Sequence, residues 1–74
     1  MGRPTKADIY SSEDIRSFEG VKVGDLDGWH VVKFTYFEAA NYFADQAIED
    51  NYQVEMVYAH PNPDGSKDYF IRYR

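Results

Sequence analysis

The chain has 74 residues, of which thirteen are acidic and eight are basic, so its formal net charge is −5, and it contains no cysteine. Disulfides and thiolate metal sites are therefore excluded, and the length allows a single core only. Apolar residues make up 43% and aromatic residues 18% of the sequence, which is typical of a folded domain and not of a disordered chain.

The N-terminal segment, residues 1–7, combines Gly, Pro, Thr and charged residues and is predicted to be a flexible arm. Residues 8–74 are expected to form one domain. No apolar run reaches the ~20 residues of a membrane span, and the N-terminus lacks the apolar centre of a signal peptide. These features favour a cytoplasmic protein without a membrane partner.

A short helix is predicted over residues 12–19. Ser11 can accept a hydrogen bond from the backbone of Asp14, and Asp14 can reach back, as in a capping box. Ile15 and Phe18 then share one helical face, and Gly20 is expected to end the helix in a left-handed conformation.

Two strands follow, near residues 21–23 and 29–34. Asp27 and Gly28 stand between them, and both tolerate the positive φ angles of a tight hairpin turn. Within the second strand, alternation predicts that Trp29, Val31 and Lys33 lie on the face opposite His30, Val32 and Phe34.

The longest helix is predicted over residues 36–50. Thr35 and Glu38 fit a second capping box, and Asn51 is expected to end the helix. When the segment is wound as a helix, one surface is apolar and is expected to face the core: Ala40, Phe43, Ala44, Ala47 and Ile48.

Two further strands are predicted near residues 53–60 and 68–73, joined by a loop whose turn is Pro63-Asp64-Gly65. Alternation in the third strand separates Val54, Met56 and Tyr58 from Glu55, Val57 and Ala59. In the last strand it separates Tyr69, Ile71 and Tyr73 from Phe70, Arg72 and Arg74. The order of elements predicts a small single α+β domain with a four-stranded, mostly antiparallel sheet and the main helix packed on one face.

No constellation of residues indicates reaction chemistry. His30 and His60 stand near Asp27 and Asp64, but neither has the spacing of a metal-ligand or catalytic motif. The stretch Asp25–Gly28 is similar to the opening of a calcium loop, yet it lacks the later ligands. We therefore expect no catalytic residue, no metal site and no cofactor.

The exposed surface of the main helix is the strongest candidate for a binding site. Four residues fall opposite its apolar surface: Glu38, Tyr42, Asp45 and Glu49. No lysine or arginine occurs between Thr35 and Ser66, so no i,i+4 ion pair offsets the repulsion among these carboxylates. A tyrosine among acids suits a basic partner surface, because charge attracts the partner and the ring supplies buried area. The alternative is a merely solvated face.

These observations favour a non-catalytic binding protein that places its acidic helix face on a basic site of a larger protein. In size, acidity and lack of chemistry the chain is similar to the small proteins that phages encode against host nucleases, CRISPR complexes or polymerases. That resemblance implies inhibition by occupancy of a nucleic-acid-binding site, with the acidic face as a nucleic-acid mimic.

Two alternatives remain open. A homodimer or assembly subunit would use the outer face of the sheet, with Trp29, Val31 and Val57 at the interface. A single-strand nucleic-acid binder would use Phe70, Arg72 and Arg74 on the last strand. Direct binding of nucleic acid is not expected, because residues 7–66 carry twelve acidic side chains against three basic ones.

Overall fold

The computed structural model describes residues 10–74, except for the side chains of Val57 and Tyr58. The predicted arm at residues 1–7 and the predicted start of the domain at residue 8 lie outside this range. The elements are, in chain order, α1 (Ser12–Ser17), β1 (Gly20–Leu26), β2 (Trp29–Phe34), α2 (Phe37–Glu49), β3 (Val54–Pro61) and β4 (Lys67–Tyr73). The predicted α+β class is confirmed.

The strands form one four-stranded sheet in the order β1-β2-β4-β3, and each neighbouring pair is antiparallel. Helix α2 joins β2 to β3, which lie on either side of β4. Both helices cover the same face, which we call the inner face. The Phe43 ring of α2 lies 5.3 Å from Phe18, 5.4 Å from Phe34 and 5.6 Å from Tyr73, measured between ring centroids.

The core lies between the inner face and the helices. It contains residues of both helices, of the segment after α2 and of the two central strands: Ile15, Ala40, Phe43, Ala44, Ala47, Tyr52, Val32, Phe34, Ile71 and Tyr73. Tyr10 closes one end, with its ring 5.2 to 5.6 Å from those of Phe43, Tyr52 and Tyr73. Ring contacts of this kind stabilise the packing beyond the area that they bury.

The first helix has the predicted capping box, with Ser11 and Asp14 bonded reciprocally. Its end differs from the prediction. The residue in the left-handed conformation is Glu19, with φ of 67°, and Gly20 already belongs to β1. Gly20 faces Phe34 across the strand pair, and a Cβ there would lie 2.6 Å from the Phe34 ring. The glycine is therefore needed for close packing and not as a helix stop.

The first strand is longer than the predicted residues 21–23. A bulge between Lys22 and Gly24 shifts the register, and beyond it the pairing with β2 continues as far as Leu26. The hairpin turn is as predicted, with φ of 53° at Asp27 and 82° at Gly28. In β3 a second bulge, between Met56 and Tyr58, breaks the predicted alternation. Glu55 pairs with Arg72 and Ala59 with Tyr69, so Glu55 and Ala59 lie on opposite faces and not on the same one.

Two predictions for α2 are wrong. Its N-cap is Tyr36, without a side-chain hydrogen bond to the backbone, so Thr35 and Glu38 form no capping box. Ile48 is 58% exposed and does not join the core, because at about 100° per residue it lies roughly 90° from the centre of the stripe formed by Ala40, Phe43, Ala44 and Ala47. The stop at Asn51 is confirmed, with φ of 71°.

Candidate functional site

The four residues predicted to bind a partner lie on the solvent side of α2. Glu38, Tyr42, Asp45 and Glu49 are all exposed, as expected for positions about 180° from the Ala40–Ala47 stripe. The structure therefore brings them to one face of one helix. Their exposure makes them accessible to a partner.

Tyr42 is the largest side chain on this face and is 63% exposed. Its ring centroid lies 5.6 Å from that of Phe18 at the end of α1. Phe18 in turn packs against Phe43 in the core. Tyr42 is thus in contact with Phe18 on one side and exposed on the other. Because this contact already restricts its rotamers, burial of the ring by a partner would cost less side-chain entropy than burial of an unsupported ring.

Charge is distributed unevenly between the two layers of the fold. We call residues 11–19 and 35–51, which contain both helices and their ends, the helical layer. It carries seven carboxylates, of Glu13, Asp14, Glu19, Glu38, Asp45, Glu49 and Asp50, against the single cation of Arg16. The strands and their turns, residues 20–34 and 52–74, carry five acidic and five basic side chains. Among residues 10–74 the excess negative charge therefore belongs to the helical layer.

The ion pairs found within the described residues all join side chains of the sheet, and none involves a carboxylate of the helical layer. Nζ of Lys22 lies 3.3 Å from Oδ1 of Asp25, and Nδ1 of His30 donates to the same oxygen at 2.7 Å. The hydrogen bond from His30, followed by that from Lys22, holds the pKa of Asp25 below its usual value. The partner of His30 is thus Asp25, which no sequence signal indicated, and this cluster links the two strands of the hairpin.

One carboxylate of the helical layer, that of Asp50, binds a tyrosine that packs against the core. The Tyr10 hydroxyl donates to Oδ2 of Asp50 at 2.5 Å. Burial, and then this hydrogen bond, raise the pKa of Tyr10. The other six carboxylates of the layer are exposed.

The outer face of the sheet, opposite the helices, contains those residues of the two alternative hypotheses whose side chains the structure describes. Trp29 is buried beneath two arginines, with the guanidinium carbons of Arg72 and Arg74 at 4.5 Å and 4.2 Å from the centre of its ring. Val31 is partly buried beside it, and the Val57 side chain lies outside the described part. Because both arginines already cover the Trp29 ring, this ring offers no open platform for stacking a base.

Phe70 and Arg72 lie on the outer face as predicted, since their register partners on β2 are Lys33 and Val31. Arg74 lies there too, with its guanidinium over the Trp29 ring. Arg72 also donates from Nε to Oε1 of Glu55 at 2.8 Å, and Arg74 donates from Nε to Oε1 of Gln53 at 2.8 Å. The guanidinium groups are therefore fixed by intramolecular contacts, and the Glu55 carboxylate offsets the charge of Arg72.

No protein-family model matches the chain, and comparisons with curated proteins and with solved structures found no significant similarity. Within residues 10–74, no three His, Asp or Glu side chains are grouped so that they could hold a metal ion. No helix in the described part is long and apolar enough to cross a membrane.

Proposed function

We propose that the chain is a non-catalytic protein-binding domain whose helical layer docks on a basic surface of a larger protein. The observation that supports this proposal is the uneven charge distribution, with seven carboxylates against one cation in the helical layer and equal numbers in the sheet. A solvated face needs polar residues, but it does not need them to be of one sign.

Long-range attraction would orient the molecule before contact, because a surface of one sign steers association. Tyr42 would then supply apolar area at the centre of the contact, with the carboxylates of Glu38, Asp45 and Glu49 around it. Tyrosine is enriched at such centres because a rigid ring buries much area for little loss of freedom. If the partner's basic surface normally holds DNA or RNA, binding would inhibit the partner by occupying that site. The proposal places this interaction in the cytoplasm, in agreement with the absence of cysteine.

The test compares two triple variants with equal changes in net charge. The first neutralises the helix face through Glu38→Gln, Asp45→Asn and Glu49→Gln. The matched control neutralises three exposed carboxylates of the sheet and its turns through Asp27→Asn, Glu55→Gln and Asp64→Asn. Tagged forms of both variants and of the native chain would be incubated with nuclease-treated lysate of the source organism or its host, and captured proteins would be identified after chemical cross-linking.

We expect a specific partner that the native chain and the control retain and that the helix-face variant binds at least about tenfold more weakly, equivalent to ~1.4 kcal/mol. Cross-links should map to α2, and the affinity of the native chain should fall as salt rises. Equal retention of the same partner by both variants would contradict the proposal, as would cross-links confined to the sheet. Failure of all three baits to capture a partner would also count against it.

A further inference from the structure

The outer face of the sheet has an exposed apolar edge. Three side chains of β1 are more than half exposed: Val21 at 59%, Val23 at 55% and Leu26 at 63%. Val21 and Leu26 lie on the outer face because their register partners are Lys33 and Trp29. No described element covers this face, since both helices pack on the inner one. Clustered apolar side chains of this kind are typical of an interaction surface.

A groove of about 360 Å³ lies beside these side chains. Residues of β1, β2 and β4 line it: Val23, Gly24, Asp25, Leu26, Val31, Phe70 and Arg72. The groove exists partly because Gly24 stands opposite Val31 without a side chain, and a Cβ there would meet nothing within 4 Å. A glycine at a bulge in a strand commonly marks a place where another group approaches the backbone.

The charges around the groove favour an uncharged occupant. Arg72 is paired with Glu55, and Asp25 is paired with Lys22 and His30. The groove thus offers an apolar floor whose charged neighbours are already neutralised, so burial of an aliphatic side chain would be favourable there. A second copy of the chain could approach this side without strong repulsion, because acidic and basic residues balance in the sheet, whereas two helical layers would repel each other.

We propose that the outer face forms a two-fold symmetric homodimer interface in which Leu26 of each copy enters the groove of the other. A two-fold interface requires a self-complementary patch. The protruding Leu26 and the gap at Gly24 lie two residues apart on the same strand, so one patch contains both the projection and its recess. Bulges interrupt both edge strands and disfavour continuous strand pairing between copies, so the two sheets would pack face to face.

The expected dimer is weak and reversible. Four strands of about six residues cover ~400 Å² in projection, or ~800 Å² over both copies, which is below the size of stable specific interfaces and within that of transient contacts. We therefore expect a Kd on the order of 100 µM. The arrangement places the two helical layers on opposite outer sides of the dimer. Each dimer would therefore present two acidic faces and could bind two basic sites at once, whereas the function proposed above involves a single contact.

Sedimentation velocity over about 5 to 500 µM, a range that spans the expected Kd, provides the test. We expect the native chain to change from monomer to dimer and Leu26→Lys to stay monomeric. Ile48→Lys is the matched control because Ile48 is similarly exposed, at 58%, but lies on α2, and it should dimerise as the native chain does. Circular dichroism would verify that both variants are folded. A native chain that is monomeric throughout overturns the proposal, and so does equal behaviour of the two variants.

Hydrogen exchange separates face-to-face packing from edge pairing. In the proposed dimer, the β1 amides that point away from β2 stay exchangeable at high concentration. Their protection would mean that β1 pairs with β1 of the second copy, which overturns the proposed geometry. Because Leu26→Lys leaves the helical layer intact, capture of a basic partner by this variant tests the proposed function separately.

Discussion

The guanidinium carbon of Arg74 lies 4.2 Å from the centre of the Trp29 ring. With Arg72 of β4 at 4.5 Å from the same ring, two cations at the C-terminal end of the chain cover an indole on β2 that would otherwise be exposed on the open side of the sheet. These contacts link the start of β2 to the end of β4, the two central strands of the sheet. A cation above an aromatic face contributes about 0.5 to 2 kcal/mol, depending on its exposure.

We expect Trp29→Ala to lower the free energy of unfolding by about 2–4 kcal/mol, because it removes the buried area of the indole and both cation contacts. Trp29→Phe should lose less, since a ring remains beneath the arginines. Urea unfolding followed by circular dichroism measures both changes. A loss below ~0.5 kcal/mol for the alanine variant, a size usual for unimportant surface positions, would show that the stack does not contribute to stability.

Two tyrosines at the same end of the core should respond oppositely to loss of the hydroxyl. Within the described residues, the Tyr73 hydroxyl is buried without a hydrogen-bond partner, whereas the Tyr10 hydroxyl donates to Asp50. Tyr73→Phe should therefore leave stability unchanged or raise it by up to about 1–2 kcal/mol, and Tyr10→Phe should lower it by about 1–2 kcal/mol. Thermal and urea unfolding of the pair provide the measurement. Marked destabilisation by Tyr73→Phe would indicate that its hydroxyl is bonded in solution.

We expect the free energy of unfolding to decrease at alkaline pH, because two buried or partly buried tyrosines have raised pKa values. Burial raises the pKa of Tyr73 from 10.0 to about 12, and the pKa of Tyr10 is also raised. Above a pH of about 10 the unfolded chain releases these protons while the folded chain retains them, so ionisation favours unfolding. The contribution of Tyr73 is complete below pH 10 and is lost as the pH rises towards 12. Urea midpoints measured from pH 8 to about pH 11.5 should decline, and less steeply for Tyr73→Phe; parallel slopes would refute the assignment to Tyr73.

Gly20 should not tolerate a side chain. An added Cβ would lie 2.6 Å and 2.8 Å from two atoms of the Phe34 ring and 2.9 Å from a methyl carbon of Val32, and both residues are fully buried. We expect Gly20→Ala to cost about 1–3 kcal/mol through overpacking. The double variant with Phe34→Leu should recover part of that loss relative to Phe34→Leu alone, and strictly additive effects would indicate that the ring and the Cβ do not collide.

Local sequence signals predicted most elements of the fold because their causes are local. Alternating aromatic residues and arginines placed the faces of β4 correctly, and Asp27-Gly28 placed the hairpin turn. Those signals failed where distant residues decide the geometry. The bulges in β1 and β3 arise from the fit between strands, and the burial of Tyr10 depends on Phe43, Tyr52 and Tyr73, which lie more than thirty residues away along the chain.

The candidate site was predictable only in part. The acidic face of α2 follows from helical periodicity, and its four residues are exposed as that periodicity requires. The charge difference between the layers could not be derived, because it needs α1 and α2 on the same side of the sheet. The groove was also missed, since it requires Gly24 opposite Val31 and both of them beside Phe70 of β4. Only the strand order β1-β2-β4-β3 makes these residues neighbours.

The position of β4 affects how the protein can fold while it is being synthesised. Lys67–Tyr73 is made after the other three strands, yet it lies between β2 and β3 and pairs with both. While β4 is still within the ribosome, no strand pairs with both the β1–β2 hairpin and β3, and Val32, Phe34 and Phe43 lack the Ile71 and Tyr73 side chains that complete their core. The four-stranded sheet therefore cannot be completed before β4 is available, and until then we expect these apolar residues to be exposed in the nascent chain, where they would favour aggregation.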